Sequence, residues 1–267
     1  MFIGFLGACA YTPPQNTPPT DGRIDAPIDV ITIDSMPDTT EVGRVTSGLV
    51  GFWGFESASP LIDTSSFPIG NPQPINLTAT ATVVLANGTA STTLALDKLE
   101  TISNPRLNAD CIIGGGVTLE AWVQPTAAIQ GGTNSLRVIA GLTSSINARN
   151  VSLFQAGDQW LARVRTNVDV NGAPDLVPAT DQVVVAMTHL VVVADGDERI
   201  LYVNGDPKAT DAAPGPLTNW DNSYRLILGN EFQQSRPWTG TFELVALYNR
   251  ALSQDEVQRN FFAGPTP

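Results

Sequence analysis

The densest set of side chains able to recognise a ligand is Trp220-Asp221-Asn222-Ser223-Tyr224, with Trp238 close behind it in the chain. Sugar sites set aromatic faces beside carboxylates and amides, which fix the orientation of the hydroxyls. Trp220, Asp221, Asn222, Tyr224 and Trp238 are therefore candidate ligand-binding residues. The competing reading is that these tryptophans pack in or against a core, as Trp53 and Trp122 are expected to do. Trp160 fits either role.

Acid–base machinery is sparse. Glycoside hydrolysis needs two carboxylates flanking one bond, about 5 Å apart in retaining enzymes. Glu120 stands alone on its strand, and Asp195-Gly196-Asp197-Glu198 reads as a turn. The lone His189 lies in the apolar run THLVVVA, where a hydrogen-bonded structural histidine fits better than a general base. No catalytic residue is assigned, and the chain is expected not to be an enzyme. Two cysteines and one histidine exclude zinc ribbons and fingers. Their number allows a Cys9–Cys111 disulfide, but the context of Cys9 argues against it. Cys111, beside a Gly114-Gly115-Gly116 turn, reads as a small buried residue with a free thiol.

These residues need a scaffold, and its texture is that of strands. Hydrophobic residues make up 42% of the 267 residues and charged ones only 15%. Such low charge, with abundant Thr, Val, Asn and Gly, suits short strands and turns. Residues 48–55, GLVGFWGF, alternate, placing Val50, Phe52 and Gly54 opposite Gly51, Trp53 and Phe55. Residues 117–125 put Val117, Leu119, Ala121 and Val123 on one side. A period of two marks a half-buried strand. Further strands are expected at 81–85, 136–142, 151–155, 159–165, 183–194, 200–204, 225–229 and 241–249. Asp195-Gly196 and Asn204-Gly205 supply hairpin turns with φ > 0. Strands this frequent imply an all-β sandwich or barrel. One helix is expected. Ser253 to Glu256 form a capping box, Gly264 closes the helix, and Val257, Phe261 and Phe262 would pack on the sandwich edge.

The N-terminus reads as an address. Leu6-Gly7-Ala8-Cys9 resembles the cleavage box of a bacterial lipoprotein signal peptide, which implies lipidation of Cys9. Residues 1–9 would then be signal remnant and lipobox, although the usual basic n-region is missing. Ala10 stands where an inner-membrane retention signal places Asp, which favours the outer membrane. Residues 10–46 hold Pro13, Pro14, Pro18, Pro19, Pro27 and Pro37, with Asp21, Asp25, Asp29, Asp34 and Asp38 between them. Prolines and repelling carboxylates keep such a chain open, giving a tether on the order of 30–40 Å long. The Asp spacing lacks the glycine periodicity of calcium-binding β-rolls.

The segments GLVGFWGFE, VTLEAWVQP, HLVVVADGDERILYVNG, LILGNE and WTGTFELVALYNRALSQDEV occur in an order that resembles laminin-G-like domains. These belong to the concanavalin A-like jelly-roll sandwiches. The resemblance spans about residues 48 to 264 and implies one domain, 47–264, of two antiparallel sheets with a short C-terminal helix. Met187 stands where the family's Trp-x-His has tryptophan. The resemblance implies a structural Ca²⁺ where the first strand, the following loop and the last strand meet, at Glu56, Asp63 and Glu243. Glu243 is one methylene longer than the usual aspartate. The Glu-x-Asp-x-(x)-Glu run of laminarinase-like members is absent.

A net charge of −12 disfavours nucleic acid and anionic lipid as partners. The expected protein is a non-catalytic binding domain at the cell surface, lipid-anchored or secreted, that meets the membrane only through its anchor. A polysaccharide or glycoconjugate is the first expected ligand and an extracellular protein the alternative. A divergent glycoside hydrolase comes last.

Overall fold

The computed structural model describes residues 43–56, 61, 63–65, 74–179, 182–212 and 215–265. The expected lipidation site Cys9 and tether residues 10–42 lie outside them. In chain order the strands are β1 Leu49–Trp53, β2 Leu77–Ala79, β3 Val84–Ala86, β4 Thr89–Thr92, β5 Leu99–Thr101, β6 Val117–Pro125, β7 Arg137–Ser145, β8 Ala148–Ala156, β9 Gln159–Val164, β10 Thr188–Ala194, β11 Glu198–Val203, β12 Asp206–Ala212, β13 Arg225–Leu228 and β14 Gly240–Tyr248. Helix α1, Pro105–Gly114, precedes β6, and α2, Gln254–Ala263, follows β14.

The strands form two antiparallel sheets, as expected. The larger runs β12-β11-β10-β6-β14-β4-β3, with β1 also on β14, and the smaller runs β2-β5-β13-β7-β8-β9. Strand β6 shows why they stack. Val117, Leu119, Ala121 and Val123 face the core shared with Ile139, Leu142, Leu153, Trp160 and Leu226 of the other sheet. Full burial stabilises each large aliphatic side chain by roughly 1.5–3 kcal/mol. The alternate residue Trp122 joins Val191, Val193, Leu244 and Tyr248 on the outer face, under Val257 and Phe261 of α2. The β6 periodicity therefore places every one of its side chains.

Register shifts break that periodicity elsewhere, and those in β1 and β14 change which side chains reach the core. The register of β1 shifts between Leu49 and Gly51. Val50 and Trp53 consequently share the inner core while Phe52 turns outward, so the expected grouping of Val50 with Phe52 is wrong. In β14 the register shifts between Phe242 and Leu244, leaving Phe242 inside and Leu244 outside with Glu243 at the irregularity. A side chain on Gly51 would strike the Trp53 indole, and one on Gly240 the Trp238 indole. Each glycine makes room for the ring two residues away.

The turns divide likewise. Asn204 and Gly205 take φ of 53° and 81°, as a β11–β12 hairpin requires. Gly196 does not enter the left-handed region. There Asp195 Oδ1 accepts from the amides of Asp197 (2.8 Å) and Glu198 (3.0 Å) and closes the turn itself. Helix α2 carries the full capping box. Val257 is buried, but Phe262 is 79% exposed and does not pack as expected. Helix α1 was not expected. Asn104 caps it, Pro105 opens it, and Gly115 at φ 73° ends it. Its Cys111 is a buried free thiol. The domain also starts earlier than residue 47. Val45 is 3% exposed, and its amide donates to Asn260 Oδ1 at 2.8 Å.

Candidate functional site

The aromatic residues expected to meet a sugar are structural. Trp220 is 6% exposed and donates Nε1–H to the Arg165 carbonyl at 2.6 Å. Trp238 is fully buried and donates to Gln155 Oε1 at 2.8 Å. Tyr224 is buried as well, while Asp221 and Asn222 are exposed. Asp221 Oδ1 accepts from the Ser223 amide and hydroxyl. The loop is stitched down from below: Asn150 donates to the Asp221 carbonyl (2.9 Å) and Asn108 to that of Tyr224 (2.8 Å). Each indole and ring is consumed by packing, so this loop offers no aromatic platform.

Glu56, Asp63 and Glu243 are not brought together as a calcium site. Among the described residues no three His, Cys, Asp or Glu side chains form a group that could hold a metal ion. Asp63 is occupied already. Its Oδ1 accepts from the amides of Phe52 (3.0 Å) and Ser65 (2.9 Å), its Oδ2 from Ile75 (3.1 Å), and Arg106 stands 3.5 Å away. A carboxylate filled with N–H donors pins β1 to the following loop and leaves no lone pair aimed at a cation. Glu56 is exposed, and Glu243 is half-buried at the β14 irregularity. These residues do not fit the ion.

The residues Glu120 and His189 form a centre that strand patterning could not show. Neighbouring strands β6 and β10 bring Glu120 Oε1 to 3.0 Å from His189 Nε2, both with no exposed side-chain surface. Arg44 donates to the same oxygen, and Asn260 of α2 donates to Oε2 at 2.8 Å. Tyr248 donates its hydroxyl to the Val45 carbonyl at 3.1 Å. Burial alone would raise the Glu120 pKa, but the His189 hydrogen bond and the Arg44 charge outweigh it and hold it at about 2. Phe261 stacks on the imidazole and Trp122 lies tilted against it. A sealed carboxylate with three satisfied contacts has no route to a substrate. It clasps the domain's first residues to its last helix, and the structural role expected of His189 matches this geometry.

An open concavity lies elsewhere, where β9 at the edge of the smaller sheet meets the β11–β12 hairpin of the larger. It encloses about 170 Å³. Trp160, 1% exposed, lines it together with Val203. Gln182, Thr188, Asn204, Asp206 and Lys208 supply its polar wall. Asn204 is fixed, because its Oδ1 accepts the His189 amide at 3.0 Å. Asp206 and Lys208 are 3.6 Å apart, with 64% and 29% of their side chains exposed. Trp160 is nearly sealed beneath the cleft, so the groups open to a ligand are chiefly polar; convergent polar groups in a concavity are one part of what a small-ligand site needs. Asp206 is its one carboxylate among the described lining residues, short of the pair that glycoside hydrolysis uses. Sequence reading missed the site because Asn204 and Asp206 register as turn residues and Trp160 as undecided. The available signal was a polar stretch directly after an Asn-Gly hairpin.

Two antiparallel sheets over one core, with a cleft at their edge, define an all-β sandwich of the jelly-roll kind. The chain belongs to the concanavalin A-like lectin/glucanases superfamily, whose laminin-G-like family model matches residues 101–258. No curated protein sequence matches it significantly. Among solved structures it is similar to the binding domain of botulinum neurotoxin DC in complex with rat synaptotagmin II, with TM-score 0.62 and 11% identity over 82% of this chain and 52% of that one. It is also similar to Trypanosoma rangeli sialidase in complex with sialic acid, with TM-score 0.58 and 17% identity over 85% of this chain and 35% of that one. The chain thus spans about half of the toxin domain and a third of the sialidase. At these identities the likeness is one of fold.

Proposed function

We propose that this domain is a non-catalytic binding module that takes a saccharide unit in the cleft beside Trp160. The observation that carries this reading is the cleft itself, in which the Asn204 amide, the Asp206 carboxylate and the Lys208 ammonium converge above the nearly buried Trp160. The Asn204 amide and the Lys208 ammonium donate to sugar hydroxyls, and the Asp206 carboxylate accepts from them. The lectin and glucanase members of the superfamily supply an analogy, and fold alone does not fix function. The module is displayed outside the cell, anchored through a lipidated Cys9 on an acidic spacer or secreted.

A glycan array followed by calorimetry tests the ligand class. Asp206→Ala and Lys208→Ala change the rim without touching the core and are expected to weaken binding at least tenfold. Binding that ignores both changes would refute the site. The toxin domain's complex with synaptotagmin makes a protein partner the second reading. Silence across neutral and acidic glycans, with a protein ligand blocked by the same two substitutions, would favour it. Fatty-acid labelling that is equal in wild type and Cys9→Ser would remove the anchor.

A further inference from the structure

On the opposite face of β9 from Trp160, this acidic chain gathers guanidinium groups. The outer surface of the smaller sheet carries a separate apolar cluster of Leu136, Val138, Phe154, Ala156 and Leu161. Arg149 of β8 and Arg163 of β9 lie over the Phe154 ring, 5.5 and 5.6 Å from its centre. Arg236 approaches on the loop after β13, and the charges of Arg163 and Arg236 both bear on Arg149.

Their partners are unequal. Arg163 chelates Asp175 through Nε and Nη2. Arg236 has only Glu231 at 4.0 Å, and Ser235 also donates to that carboxylate. Arg149 donates Nη2 to the neutral Ile146 carbonyl, and no carboxylate among the described residues pairs with it. Three guanidiniums therefore face two carboxylates, which leaves one positive charge uncompensated. Arg149 is 2% exposed. The Nη1 atoms of Arg149 and Arg236 are both buried and have no hydrogen-bond partner. Burial, then the like charges of Arg163 and Arg236, push the Arg149 pKa down to about 10 against the opposing pull of Glu231 and Asp175. A stable fold rarely buries two charged donors that meet nothing.

We propose that this cluster is a binding site for an oxyanion, a carboxylate, sulfate or phosphate group, held between the Nη1 atoms of Arg149 and Arg236 with Phe154 beneath. Guanidinium forks match oxyanion geometry, and stacking on an aromatic ring pre-orients them. Entry runs along Arg163 and Arg236, whose side chains keep 18% and 13% exposure. The site is independent of the Trp160 cleft. A free inorganic ion and an acidic group on a glycan offer the same chemistry.

The test is an NMR titration of the arginine Nε–H signals in the full chain. Sodium sulfate, sodium phosphate and a sulfated oligosaccharide are added in turn, with ionic strength held constant by sodium chloride. Arg149 and Arg236 signals are expected to shift saturably in the wild type. The shift of Arg149 is expected to vanish in Arg236→Gln and to survive in Arg225→Gln, which alters a paired arginine of the same sheet. The wild-type titration decides even where a variant fails to fold. Half-saturation at a tenfold lower concentration of oligosaccharide than of sulfate identifies an acidic glycan as the source; equal concentrations identify a free ion. Shifts that grow linearly and match those from chloride overturn the site, as does indifference to Arg236→Gln.

Discussion

Lowering the pH tests the buried clasp at Glu120. Its carboxyl is held at about 2 in the fold and returns to about 4.5 when the chain unfolds. The unfolded chain therefore binds this proton first as the pH falls. The stabilisation from Glu120 is complete above pH 4.5 and is lost as the pH drops through 2. That difference corresponds to about 3 kcal/mol, a large part of the roughly 5–15 kcal/mol that holds a domain together. Glu120→Gln keeps the shape and some hydrogen bonds but leaves the Arg44 guanidinium without its counter-charge. Stranding one member of a buried pair costs about 3–5 kcal/mol. Urea unfolding of wild type and Glu120→Gln at pH 7, 4.5, 3 and 2 reads both quantities. The stability gap between the two proteins is expected to be widest at pH 7 and to narrow by about 3 kcal/mol at pH 2, because acid removes from the wild type the charge the variant lacks. A gap that stays constant across this range would refute the argument, whatever the acid sensitivity of the other carboxylates.

Three other perturbations follow from particular contacts. Because amide donors fill the Asp63 carboxylate, melting temperatures in millimolar calcium and in chelator are expected to agree; a calcium-dependent rise would revive the Glu56–Asp63–Glu243 site. Burial pushes the Cys111 thiol well above its ordinary pKa, so native protein is expected to resist a thiol reagent that labels it fully in denaturant. Ser253→Ala removes the hydroxyl that accepts the Glu256 amide and is expected to cost about 1 kcal/mol in denaturant unfolding, with binding unaltered.

The fold was legible where one local rule acted alone. Val117 to Pro125 has a period of two and nothing to disturb it, and Ser253 to Glu256 spell their own cap. It was illegible where long-range geometry decides. Bulges in β1 and β14 reverse the facing of Phe52 and Leu244, and no local pattern announces them. Strand β12 is half-exposed and polar at the sheet edge, so it lacks the alternation that marks buried strands. Helix α1 was hidden by a short, weakly amphipathic sequence, although Asn104, Pro105 and Gly115 are its start and stop signals. The candidate site fared worse, for a physical reason. Composition tells that Trp220 and Trp238 are able to meet a sugar; only the positions of Arg165 and Gln155 tell that their indole N–H groups are already used. The pairing of Glu120 with His189 depends on strands 69 residues apart in sequence and was equally out of reach.

The central claim is that the ligand enters the edge cleft and not the Trp220 loop. Chemical-shift mapping with a saccharide found on the array tests this most directly. Saturable shifts confined to the Trp160 indole, the Thr188 and Asn204 amides and the Lys208 side chain are predicted. Shifts centred on Asp221, Asn222 and Ser223, with Trp160 and Asn204 unmoved, would contradict it.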